Sequence, residues 1–227
     1  MKLFSYFCVE MNMENTLPFN AEEVIKSAGI HPLKVRNIYI YGSRVYGTSR
    51  EGSDFDIVMI ASNLNAHDEL KGIKVNGALL NIHIITPDKF LADLNMPNIM
   101  NLECLFAPEW ARLQEKIELP KEINIKKLIK NNLAQSYASW QGGKRKIQSY
   151  DFHRGLKSVF HSLRMLIFAN QIAEHGKITD FSAANHLFEE IVDSDEIEWS
   201  FFRSKYLPMK VELENKLKSF APIEENQ

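Results

Sequence analysis

The run Tyr39-Ile-Tyr-Gly-Ser-Arg-Val-Tyr-Gly-Thr-Ser-Arg-Glu-Gly-Ser-Asp-Phe-Asp-Ile-Val-Met-Ile60 decides how the rest of this 227-residue chain is read. Ile38 and Ile40 alternate with tyrosines as in a strand, and Gly42-Ser43 interrupts the run where backbone N–H groups become free. Asp54 and Asp56 stand two residues apart, just before the apolar Ile57-Val58-Met59-Ile60. On a strand, that spacing puts both carboxylates on one face and Phe55 on the other. Like charges this close repel unless a cation sits between them. Oxygen-only ligands suit Mg²⁺, which completes its shell with water and phosphate oxygens. The plain alternative is a Gly-rich hairpin with two solvated aspartates, and it leaves the order Ser-Asp-Phe-Asp-Ile-Val without a reason.

Composition sets wide bounds. A hydrophobic share of 45% and a charged share of 25% are those of an ordinary globular protein with a real core, in one large domain or two small ones. The net charge of −2 gives no bulk attraction to nucleic acid, so any such binding needs a local patch. Cys8 and Cys104 lack metal-ligand spacing and read as reduced thiols. The first residues lack a secretory h-region and cleavage site, and no apolar run reaches transmembrane length. A cytoplasmic protein with no membrane attachment is the expectation.

Outward from the aspartates, the segment before residue 61 opens with a helix over residues 20–29. Asn20 is its N-cap candidate, Glu22 and Glu23 lie in its first turn, and Gly29 ends it. After residue 68, Lys74-Val-Asn-Gly77 forms a hairpin arm and turn. The strand Ala78-Leu-Leu-Asn-Ile-His-Ile-Ile-Thr86 follows, with Leu80, Ile82 and Ile84 on one face and Asn81 and His83 on the other. Pro87 starts a helix and residues 98–106 form another. From about Leu119 only helical signals remain: 121–141 closed by Gly142-Gly143, 151–175 closed by Gly176, 182–192, and 196–220 interrupted near Pro208. The expected organisation is an extension over 1–19, a mixed-sheet domain over 20–119 and a helical domain over 120–227. The fold class is α+β.

The string Gly42-Ser43, a spacer, then Asp54-Phe55-Asp56 entering a strand resembles the nucleotidyltransferase superfamily of DNA polymerase beta. The resemblance implies a polymerase-beta-like head whose Gly42, Ser43 and Arg44 bind the triphosphate of an NTP. It implies that Asp54 and Asp56 hold Mg²⁺, or Mn²⁺, and take part in catalysis. A third carboxylate from a neighbouring strand normally completes the metal site and helps activate the attacking hydroxyl. Here the corresponding face offers Asn81 and His83. Asn81 brings a carbonyl oxygen without charge. His83 is either a general base or a half-buried strand residue with a hydrogen-bond partner. Glu103, Asp68 and Glu69 are the candidate substitutes for the missing acid.

A second pattern lies on the helix from Asp151, where Arg154, Lys157, His161 and Arg164 recur at steps of three, four and three and share a face. A wholly basic stripe needs solvent or an anionic partner. The string Lys157-Ser-Val-Phe-His-Ser-Leu-Arg-Met-Leu166, with Gly176 after it and Leu102-Glu-Cys-Leu105 before it, is similar to a small-protein branch of the same superfamily. That branch pairs the head with a helix bearing Lys, His and Arg. It implies that Lys157, His161 and Arg164 face the nucleotide from the helical side. Lys144-Arg145-Lys146 lies near Tyr137, Trp140 and Tyr150, a mixture that suits either single-strand binding or a helix core. Three functions follow as expectations: transfer of a nucleoside monophosphate from an NTP to a hydroxyl on RNA, protein or a small molecule; a nucleotide- or RNA-binding pseudoenzyme; or a protein-interaction module. Oligomeric state is not encoded in any of these patterns.

Overall fold

The computed structural model describes residues 17–62 and 69–222. Cys8, most of the N-terminal extension and Asp68 therefore lie outside the described residues, as does the side chain of Glu69. The first helix, α1 (Ala21–Ala28), has the capping box its sequence implies: Asn20 accepts from the Glu23 N–H and Glu23 accepts from the Asn20 N–H. Strand β1 (Val35–Tyr41) runs antiparallel to β2 (Phe55–Ala61), and β2 lies parallel to β4 (Ala78–Ile85). The hairpin arm β3 (Glu69–Val75) pairs with β4, and β5 (Arg112–Glu115) pairs with β1. The sheet order is β3-β4-β2-β1-β5, a mixed sheet as expected for an α+β chain.

The apolar residues of β1, β2 and β4 are buried against Val24 and Ile25 of α1, Phe90 and Leu94 of α3 (Pro87–Asn95), and Cys104 and Leu105 of α4 (Ile99–Leu105). Strand β5 had no sequence signal because Arg-Leu-Gln-Glu is short and polar. It forms because Asn37 of β1, fully buried, acts as a substitute strand partner. Its side chain accepts from the N–H groups of Lys116 and Ile117, each at 3.0 Å, and donates to the Ile117 carbonyl at 2.9 Å.

Beyond the sheet lie α5 (Ile125–Gln148), α6 (Phe152–His175), α7 (Asn185–Val192) and α8 (Trp199–Ser219). Two helix boundaries differ from expectation. Helix α5 does not stop at Gly142-Gly143, because Gly143 is where α6 crosses closest. A Cβ there would fall 2.8 Å from Val159 Cγ2, and one on Gly155 would fall 2.6 Å from Ile147 Cγ1. Helix α8 runs through Pro208, which sits on its exposed side while Phe202, Tyr206 and Leu217 anchor it on both sides of the proline. The sheet and helical halves share one apolar cluster, in which Tyr46, Ile99 and Leu102 meet Leu128, Phe168 and Ile172. No helix among the described residues is long and apolar enough to cross a membrane.

The glycine crossing gives a direct test. Gly155→Ala gains about 1 kcal/mol of helix propensity. It also overpacks the α5–α6 contact at a cost of about 1–3 kcal/mol, so its Tm should fall. Gly142→Ala meets nothing nearer than 4.0 Å and should raise Tm. Thermal unfolding of the two variants checks the opposite signs.

Candidate functional site

The turn between β1 and β2 is fixed by register. Tyr41 pairs with Asp56, so the next residue, Gly42, lies directly against the Asp56 carboxylate. Gly42 has φ 82°, and a Cβ on it would lie 2.6 Å from Asp56 Oδ2. Both the positive φ and the close approach exclude other residues. The short helix α2 (Ser43–Tyr46) follows, and the first-turn N–H groups of Ser43 and Arg44 have no helical carbonyl to bond. Gly42 shapes the turn, and Ser43 follows it at the same cavity.

A cavity of about 410 Å³ opens at this turn. Gly42, Ser43, Asp54 and Asp56 line one side, and Lys157, His161 and Arg164 of α6 line the other. The two carboxylates share a face as their spacing required, with Phe55 buried behind them against Phe19 at a centroid distance of 4.9 Å. Asn81 lies opposite Asp56 across the β2–β4 pair, and its amide donates to Asp54.

Other candidates lie elsewhere. His83 pairs with Val58, further along β4, and its Nδ1 is 3.4 Å from Met100 Sδ. It does not line the cavity. Arg44 turns the other way: it stacks over Phe55 at 4.2 Å, donates to the Ser53 carbonyl and lines a separate cavity of about 540 Å³ with Trp110 and Leu79. Arg154 is exposed and pairs with Asp151 at 3.7 Å, so the basic stripe splits between cavity and solvent. Glu103 is buried and paired with Arg164, away from the cavity. Trp140 is core, while Tyr137 and Tyr150 are exposed.

The structure also adds residues that sequence spacing missed. His153, one turn before Lys157, lines the cavity, as do Arg50 and Phe188. Arg50 pairs with Asp193 and lies 5.3 Å from the Phe188 ring centroid. Asn185 donates to the Tyr46 carbonyl at 2.8 Å, so α7 closes over the turn. Only the 153–157 spacing was available to find any of these. The rest depend on a chain return more than a hundred residues away.

Residues 22–100 match the family model described as Polymerase beta, Nucleotidyltransferase. These residues are a polymerase beta-type nucleotidyltransferase domain. Among solved structures, the chain is similar to a nucleotidyltransferase-like protein from Exiguobacterium sibiricum 255-15, with 12% identity, TM-score 0.35 and coverage of 87% of this chain and 73% of that one. It is also similar to spectinomycin adenyltransferase AAD(9) from Enterococcus faecialis, solved with ATP and spectinomycin. There the identity is 14%, the TM-score 0.45 and the coverage 88% of this chain and 100% of that one. No curated protein matches the chain.

The charges around the cavity are unevenly compensated. Burial, and then the neighbouring Asp54, push the Asp56 carboxyl up to about 6. A carboxylate pair that resists ionisation in this way fits a hard divalent cation with oxygen ligands. Among the described residues no group of three or more His, Cys, Asp and Glu gathers to hold a metal. On the opposite wall, burial and then Arg164 and Lys157 push His161 down to about 3, so it is neutral. Burial raises the Tyr41 hydroxyl above its ordinary range, and Asp56 adds to this, so it remains protonated.

The two shifts act on stability in opposite senses. The raised Asp56 favours the fold at low pH, and that contribution is lost as pH rises through about 6. The lowered His161 favours it above the ordinary imidazole range, and that contribution is lost as pH falls towards about 3. In metal-free protein, Asp56→Asn should abolish the first slope and His161→Gln the second. Tm measured from pH 4 to 8 reads both.

Proposed function

We propose that this chain transfers a nucleoside monophosphate from an NTP to an acceptor hydroxyl on RNA, a protein or a small molecule. The observation that carries this reading is that the carboxylate pair Asp54–Asp56 and the wall of Lys157, His161 and Arg164 face one cavity, with Ser43 at its turn. Asp54 and Asp56 are the residues that would hold Mg²⁺ or Mn²⁺. There the ion would supply positive charge against the negative charge that builds on the phosphate oxygens during transfer. The Ser43 hydroxyl and first-turn N–H groups donate to the phosphate tail. Lys157 and Arg164 offset its remaining charge, Arg164 through a fork suited to phosphate. Neutral His161 supplies a hydrogen bond without adding charge.

A specific observation favours a second reading, a nucleotide- or RNA-binding pseudoenzyme. Asn81 stands beside Asp56, where a third carboxylate is normally found, and donates to Asp54. It leaves the acceptor hydroxyl without an acidic partner on β4.

Labelled NTPs with Mg²⁺ or Mn²⁺, offered with total RNA and total protein, separate the two readings. Under the first, wild type transfers label, and Asp54→Asn and Asp56→Asn each lose on the order of a hundredfold or more. Asn81→Asp should then raise the transfer rate. Thermal stabilisation by an NTP without transfer supports the second reading. Neither transfer nor stabilisation with any NTP overturns both.

A further inference from the structure

We infer that Glu103 is a positioning residue of the nucleotide site, holding Arg164 off Asp56 so that the guanidinium is kept for phosphate and the carboxylate for a cation. The inference rests on the nucleotide reading of the cavity. Glu103 lies on α4, has 2% of its surface exposed and does not line the cavity, so it touches neither substrate nor metal. Groups from two other elements meet on its carboxylate: the Tyr46 hydroxyl of α2 and the Arg164 guanidinium of α6.

Burying a charge this deeply is costly, and apolar packing would hold three elements together as well or better. What apolar packing cannot do is direct an arginine. Arg164 has an alternative anion close by, because Asp56 and Arg164 line the same cavity. A direct Arg164–Asp56 bridge would neutralise both sides of the cavity at once. Glu103 prevents this by placing its Oε1 3.2 Å from Arg164 Nη1, while the Tyr46 ring lies 3.9 Å from the guanidinium carbon. The guanidinium is not fully used there. Its Nε is buried without a hydrogen-bond partner, and the residue lines the cavity. An unsatisfied buried donor on a fixed cation is what an arriving phosphate would satisfy.

The test compares a triphosphate with its own monophosphate. ATP, GTP, CTP and UTP are titrated calorimetrically with Mg²⁺, and the tightest is taken forward with the matching NMP. Glu103→Gln keeps shape and hydrogen bonding but removes the charge. It should weaken NTP binding about tenfold while leaving NMP binding within about twofold. Because the effect passes through Arg164, the double variant Glu103→Gln/Arg164→Lys should bind NTP no more weakly than Arg164→Lys alone. Tyr46→Phe removes one donor to Glu103 and should show the same triphosphate-selective loss in smaller measure, which keeps the test open if Glu103→Gln fails to fold. Equal losses for NTP and NMP, full additivity with Arg164→Lys, or unchanged NTP affinity in folded Glu103→Gln and Tyr46→Phe each overturn the inference. Wild type that binds no NTP removes the nucleotide reading itself, and the inference with it.

Discussion

Asp56 is pressed against the backbone of Gly42 by the antiparallel register of β1 and β2, and the site is built around that contact. The register brings the turn to the carboxylate. The absence of a side chain at Gly42 lets the two meet, and burial with Asp54 close by leaves Asp56 in want of a cation. A one-residue slip would turn the carboxylates to the other face of the sheet. The fully buried Ile38, Ile40, Ile57 and Val58, which fix the pairing, therefore contribute to the site as much as to the core.

The opposite wall depends on a different kind of contact. Helix α6 reaches the sheet half through apolar packing around Tyr46, Leu102 and Phe168, and it carries Lys157, His161 and Arg164 with it. Its own position is set by the close crossing at Gly143 and Gly155. The cationic wall is thus placed by two features that bear no charge. The buried Glu103 then fixes how one of its cations is used.

Much of this was legible in the sequence because it follows from period and punctuation. The alternation in β1 and β4, the spacing of Asp54 and Asp56 and the helical recurrence of Lys157, His161 and Arg164 are local patterns, and the structure brings those residues together. The rest depended on long-range contacts. Strand β5 exists because Asn37 bonds to its far end, and Gly143 continues a helix because another helix needs the space. Arg44 and His83 were the right residue types on neighbouring elements. One turns to stack on Phe55, and the other sits beside Met100, outside the cavity lining. Glu103 is an acid near the site, but its carboxylate is occupied by Tyr46 and Arg164.

The central claim is that Asp54 and Asp56 together bind a divalent cation that a nucleotide shares. Electron paramagnetic resonance of Mn²⁺ titrated into the protein, with and without a non-hydrolysable NTP analogue, measures this directly. The account predicts weak binding of Mn²⁺ alone, marked tightening with the analogue, and loss of the tightened site in Asp56→Asn. Mn²⁺ binding that ignores the analogue, or survives unchanged in Asp56→Asn, contradicts it.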